Sequence, residues 1–281
     1  MKSLSLPVVA TCLLVSVSVP TARAQGALDP TRVRTLTAEQ AEILSHLSIV
    51  YLDDGVGGTV KTIRLTGTNW QIVDGSGSTD GAPTGVGNLI VGYNELRGAD
   101  DDRTGSHNMV GGKEHNYSRF GGLVVGGHNT ISGDWSTVSG GTYNTASNLH
   151  ASVSGGSANT ACDRYASVSG GQANTARQRW ASVSGGFYNT AGGEHSSVSG
   201  GSGNRARDIE SSVSGGSGNT ADGVGSSVSG GFYNIAIGHT SSVSGGSFNT
   251  ASGLRASVSG GTRRSALNGG NWVGGMYYSA N

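Results

Sequence analysis

From about residue 138 onward, apolar and polar positions alternate in short bursts that recur every fifteen residues. In Ala151-Ser152-Val153-Ser154 the apolar residues fall on every second position. That is the period of a half-buried strand, and it places Ala151 and Val153 inward and Ser152 and Ser154 outward. In Asn159-Thr160-Ala161 the same alternation sends Asn159 and Ala161 inward and Thr160 outward. Between the two bursts, Gly155-Gly156 supplies a corner where no Cβ stands in the way and a positive φ costs little. Four freely varying residues, 162–165 in one unit and 192–195 in another, form the exposed corner that leads into the next unit.

The unit repeats strictly. The valine of Thr/Ser-Val-Ser-Gly-Gly stands at 138, 153, 168, 183, 198, 213, 228, 243 and 258, and an asparagine follows six residues later in eight of these units. An alanine recurs from 146 to 266 at the same spacing. Fifteen residues cannot hold two helices and a turn, and each glycine of a repeated Gly-Gly would cost a helix roughly 1 kcal/mol. Each unit therefore reads as one coil of a parallel β-roll, a β-solenoid, with two short strands and two turns. Stacked at strand spacing, eleven or twelve coils make a rod on the order of 50–60 Å long. Identical residues stack on themselves, so an inward Asn ladder is expected to bond amide to amide and satisfy its buried polar atoms. No proline follows Pro83, as a ladder in which every strand donates and accepts requires.

Looser coils precede the regular ones at 90–93, 109–112 and 124–127, read at spacings of 19 and 15, with an insertion around Asp100-Asp101-Asp102. Residues 272–275 read as a last, atypical coil, and Trp272, Met276, Tyr277 and Tyr278 suit a cap or an interface. The roll is thus expected over 89–275, with 276–281 as the C-terminal end. Residues 25–88 read differently. Thr37 and Gln40 form a capping box that opens a short helix with Ala41, Leu44 and Leu47 on one side. Strands are expected over 49–52, 60–66 and 69–73, and a Gly/Ser linker over 74–88. The fold class expected is all-β, a parallel β-roll of 14–15-residue coils with a small N-terminal α+β module.

Residues 1–24 read as a secretory signal: Lys2, an apolar run over 4–19, and the Ala22-Arg23-Ala24 cleavage pattern. The mature chain then begins at Gln25. No later stretch approaches the roughly 20 apolar residues of a membrane-spanning helix.

Composition sharpens the picture. With 50 Gly, 13% charged and 6% aromatic residues, the chain lacks the large apolar side chains of an ordinary core, yet is too poor in charge for a disordered tail. Without residues 1–24 it keeps sixteen basic and eighteen acidic side chains, a formal charge of −2. That balance argues against nucleic acid or an anionic membrane as an electrostatic partner. Cys162 alone remains, so no internal disulfide is expected.

Ser152-Val153-Ser154-Gly155-Gly156, followed by Asn159-Thr160-Ala161, resembles the head repeats of trimeric autotransporter adhesins, the YadA-like heads. The resemblance covers roughly residues 89–275. It departs at Gly140, Gly155 and their equivalents, where the family has a bulky apolar residue, and in its period of 15 against 14. It implies a left-handed roll that associates as a homotrimer, on the bacterial cell surface or secreted, and that binds matrix or other surfaces.

Candidate chemistry is sparse. His150 and His195 share one position of the unit but stand three coils apart, about 14 Å, too far to hold one metal. His107, His115 and His128 fall near glycine corners and read as turn residues. Asp100-Asp101-Asp102 and Asp53-Asp54 match no calcium loop. No serine lies in a nucleophile elbow with plausible support, so no catalytic, cofactor or metal residue is assigned. Aromatics do form a pattern. Tyr143, Tyr188, Tyr233 and Phe248 share one position of the unit, and Trp135, Tyr165 and Trp180 share another. Repetition turns each position into a stripe suited to recognising an extracellular protein or glycan, unless the rings merely cover the glycine corners of neighbouring coils. The expected function is adhesion or surface contact. The alternatives are a structural coat, including an ice-binding face from Thr145, Thr160 and Thr190 that Arg205 and Ile235 interrupt, and, last, a polysaccharide-degrading β-helix enzyme.

Overall fold

The computed structural model describes residues 36–274. The expected signal segment and the Met276, Tyr277 and Tyr278 cap lie outside them. Two units are distinguished, one ending at Trp70 and one beginning at Gln71.

The first unit starts as its capping box dictates. The Gln40 N–H donates to Thr37 Oγ1 (3.2 Å) and the Thr37 N–H to Gln40 Oε1 (3.0 Å), opening helix α1 (Ala38–Ser45). Helix α1 buries none of its residues, so the expected Ala41 and Leu44 face is not covered, and Leu47 belongs to the following strand. Strands β1 (Leu47–Asp53) and β2 (Thr59–Leu65) pair antiparallel, with Leu47 opposite Leu65 and Asp53 opposite Thr59. Asp54 closes the hairpin: its Oδ1 accepts from the Val56 and Gly58 N–H groups, bonds that hold its carboxyl below the usual range. The strand expected over 69–73 does not form. The β1–β2 sheet has two strands, so the alternation there finds no ladder to join.

The second unit is the parallel β-solenoid. One sheet of thirteen strands carries the valine ladder and one of eleven carries the alanine ladder. Every strand pairs parallel and in register with its equivalent one coil away, Val153 with Val168 and Ala161 with Ala176. A third line of contact consists of single-residue bridges, Thr142 to Ser157 to Gln172 and onward to Thr262. At strand spacing, thirteen strands span about 58 Å. The early coils keep a register that differs from the one expected: Leu89 pairs with Met109 and Met109 with Leu123, spacings of 20 and 14. The loop holding Asp100, Asp101 and Asp102 accounts for the longer step. Residues 74–88, expected as a linker, are tied to the first coils. The Thr84 N–H donates to Ser106 Oγ (2.8 Å), Asn88 Nδ2 to the Gly105 carbonyl (2.8 Å), and the Asn108 N–H to Asn88 Oδ1 (2.8 Å). At the far end, Trp272 pairs with Ser257 and faces outward, 69% exposed, while Val273 packs on the core.

Inward positions are as the alternation requires. Ala151, Val153, Asn159 and Ala161 are fully buried, and so are their equivalents along the regular coils. In the early coils Tyr117 and Ile131 stand where later coils have alanine. The asparagines bond differently from the expected amide-to-amide ladder. Each Asn Oδ1 accepts the backbone N–H of the next Asn, Asn159 Oδ1 from Asn174 at 3.0 Å. From Asn144 onward each Nδ2 donates to two glycine carbonyls, Asn159 Nδ2 to Gly155 and Gly171, both at 2.9 Å. A side-chain ladder would have left the Asn174 N–H and the Gly155 carbonyl without partners, the Gly171 carbonyl keeping the Ser157 N–H, and a buried orphan costs more than one bond returns. His115 starts the ladder in place of an asparagine. Its Nδ1 accepts the Asn129 N–H (3.2 Å) and its Nε2 donates to the Gly111 carbonyl (3.0 Å).

Candidate functional site

Each regular coil turns through three left-handed residues. The second glycine of every pair is one, as Gly156 (φ 83°) shows, and a Cβ there would collide with the Gly171 carbonyl. The other two are not glycine in most coils, and they are the positions of the aromatic stripes. One holds Tyr143 (φ 58°), Tyr188 (55°), Tyr233 (51°) and Phe248 (57°). The other holds Trp135 (58°), Tyr165 (60°) and Trp180 (56°). A bulky residue in this region is uncommon, since the left-handed conformation costs an L-residue roughly 1–2 kcal/mol.

The length of the stack separates the two stripes. At the second position, His150, Tyr165, Trp180 and His195 form one continuous column. Ring centroids are 5.2, 5.7 and 4.6 Å apart and neighbouring planes lie within 17°. His150 and His195, too far apart to share a metal, are the two ends of this column. Arg179 lies over Trp180 at 4.3 Å and pairs with Glu194. Each stacked pair contributes about 0.5–1.5 kcal/mol, which offsets much of the left-handed cost. Trp135 sits apart, edge-on to Phe120 and over Gly121.

At the first position the rings form separate groups. Tyr143 stacks on His128 at 4.7 Å. Tyr188 meets Phe187 edge-on, and Phe232, Tyr233 and Phe248 form a cluster to which Arg263 adds its guanidinium. These rings are the more exposed set, Tyr188 at 58% against Trp180 at 42%. Phe187 and Phe232 belong to the bridge position, which is otherwise mostly Ser, Thr or Gln, so one-position stripes do not reveal them. Tyr233 also covers Gly218, as the covering reading expects. The left-handed position itself, however, needs no ring: Ala158, Ala173, Gly203 and Gly218 occupy it in intervening coils at φ of 55–67°.

The remaining candidates have local structural roles. His128 Nε2 lies 2.7 Å from Glu114, and His107 accepts the Asp74 N–H at 3.3 Å. Asp101 pairs with Arg103 at 2.8 Å, and Asp102 accepts from Thr104. Among the described residues no three His, Cys, Asp or Glu side chains converge as a metal would need. Burial pushes the Cys162 thiol up, which disfavours its reactive thiolate. On the outward face of the first coils, Leu89, Val91, Met109, Leu123 and Val125 line an apolar hollow of about 120 Å³. Later coils carry Thr or Ser at the equivalents of Leu123, as at Thr137 and Ser152. No helix among the described residues is long and apolar enough to cross a membrane. No family model matches the chain, and no curated protein matches it.

Proposed function

We propose that this chain is an extracellular surface-contact protein, an adhesin-like head that engages matrix protein or glycan through the exposed rings on its roll. One observation carries the reading: Tyr143, Tyr188, Tyr233 and Phe248 are held in a left-handed conformation that neighbouring coils satisfy with Ala or Gly. A costly backbone state kept with large exposed side chains points to a use outside the fold. Tyr and Phe give wide, stiff contact area with few rotors to immobilise. Tyr188 meets Phe187 only edge-on, and Tyr233 and Phe248, although they stack on each other, stay about half exposed, whereas the column from His150 to His195 seals its inner faces within itself.

The resemblance to trimeric adhesin heads supports a bacterial surface or secreted location and a homotrimer. The apolar hollow at Leu89, Val91, Met109, Leu123 and Val125 is the structural feature in favour of self-association. The function is tested by presenting the purified chain to immobilised matrix proteins and uncharged glycans. Saturable binding that Tyr188→Ala with Tyr233→Ala weakens at least tenfold is expected, each 1.4 kcal/mol of lost contact giving about that factor. Equal binding by the variant would remove the rings from the account. The ice-binding reading is weaker, because Arg205 and Ile235 project from the Thr ladder and break the flat array.

A further inference from the structure

At the turn after the alanine strand, the column of residues 147, 162, 177, 192, 207, 222, 237 and 252 faces outward with a side chain in every coil except one. The exception is Gly192. Nothing in the backbone requires it: its φ is not left-handed, and a Cβ would meet its nearest neighbour, the Ala206 carbonyl oxygen, at an ordinary 3.5 Å. The missing side chain opens a cleft of about 350 Å³ between Arg177 and Arg207, floored by Gly192 and flanked by Thr190, Arg205 and Gln178. No carboxylate lines it. Among the described residues Arg177 and Arg205 make no ion pair, and Arg207 reaches only Asp222, at 3.3 Å on the exposed surface. Arg205 replaces the threonine that Thr190 and Thr220 carry on either side, so the third guanidinium is a local departure from the repeat.

We infer that this cleft binds an acidic polysaccharide segment, a uronate or sulfated sugar, with its charged group held among the three guanidiniums. Guanidinium donors match planar carboxylate and sulfate oxygens in pairs. Arg177 and Arg207 stand two coils apart, about 9.6 Å, so they can engage successive groups of an extended chain along the rod. The lining holds the Thr190 hydroxyl and the Gln178 amide but no aromatic or aliphatic side chain. That suits a hydroxylated ligand and offers a peptide no apolar anchor. A net charge near zero does not oppose the site, because the field of three unpaired or half-paired arginines acts within a Debye length. The inference deepens the surface-contact reading by naming a ligand class, yet it uses none of the aromatic residues.

The test titrates the full chain with heparin, polygalacturonate, neutral dextran and poly-glutamate at low and raised salt. Heparin, polygalacturonate or both bind, neutral dextran does not, and salt weakens the binding; which of the two binds separates sulfate from carboxylate. Gly192→Ile fills the cleft with the residue found at position 237, and Arg177→Ser with Arg205→Thr introduces residues found at the same positions of other coils, Ser147 and Thr190. Both variants therefore preserve the repeat, and each weakens binding roughly tenfold or more. Tyr188→Ala with Tyr233→Ala binds these probes as the parent does, which keeps this site separable from the aromatic one; loss there overturns a distinct site. No binding to either acidic glycan overturns the inference. So does full affinity in Gly192→Ile, which would mean diffuse surface charge, or equal binding of poly-glutamate, which would reassign the partner to an acidic protein.

Discussion

Asn189 holds two coils together through one amide. Its Oδ1 accepts the Asn204 N–H at 2.9 Å, and its Nδ2 donates to the Gly185 and Gly201 carbonyls at 2.8 and 2.9 Å; Asn189 and Asn204 are fully buried, the bonds to the glycine corners partly so. The Gly201 carbonyl also accepts the Phe187 N–H, so Asn189→Ala strands two groups, the Asn204 N–H and the Gly185 carbonyl. A buried orphan such as the Asn204 N–H costs roughly 1–3 kcal/mol and the partly solvated Gly185 carbonyl less, so this substitution is expected to lower unfolding stability by about 2 kcal/mol in a denaturant titration. The paired glycines beside it differ sharply. Gly186 has a φ of 87° and a Cβ there would strike the Gly201 carbonyl, whereas a Cβ on Gly185 meets nothing. Gly185→Ala should leave stability within about 0.5 kcal/mol. Gly186→Ala should cost more than the roughly 1–2 kcal/mol of the left-handed backbone alone, because the clash adds to it. Equal losses at the two positions would contradict this description of the corner.

Among the elements, the coil was legible in the sequence because a period of two inside a period of fifteen admits one arrangement of inward and outward faces. Val153, Ala161 and Asn159 are buried as that pattern demands. What was not legible were groups whose partners lie one coil away. The asparagines repeat too regularly to say which backbone atoms they serve. Left-handed corners at Tyr165, His195 and Glu210 carry none of the Gly or Asn that usually marks such a backbone. Gly192 reads as an ordinary Gly-Gly turn until its side-chain-bearing equivalents are aligned in space. The early coils were misregistered because their glycines and valines repeat within the strand as well as between strands. His115, which read as a turn residue, is the buried start of the asparagine ladder. Accepting the Asn129 N–H at Nδ1 requires the neutral ring, and burial holds its pKa below the ordinary value. The unfolded chain therefore binds a proton that the folded one resists. The stability this lends is complete above the ordinary histidine value of about 6.5 and is lost as pH falls below it toward the lowered folded value. His115→Asn supplies the same acceptor and donor without titrating. Its denaturation midpoint should lose less than the parent's between neutral and mildly acidic pH; identical losses would remove His115 as the cause.

For the whole molecule, parallel coils of small residues make a rod whose surface can be varied one position at a time without disturbing the core. The solenoid unit uses that freedom twice, for rings on left-handed corners and for a glycine between two arginines. Homotrimeric assembly, the arrangement supported by the resemblance to adhesin heads, is expected to appear as three chains' mass in light scattering of residues 25–281, and one chain's mass would contradict it. Whether Tyr188 and Tyr233 serve contact and not the fold is decided by measuring melting temperature and surface binding together on Tyr188→Ala with Tyr233→Ala. Alanine already occupies this corner at Ala158 and Ala173. The expected result is a melting temperature lowered only slightly, by the ring contacts to Phe187, Phe232 and Phe248 that are removed, with binding to the immobilised surface weakened at least tenfold. A large drop in melting temperature with binding intact would contradict it, and would make the rings covers for the coils beneath them.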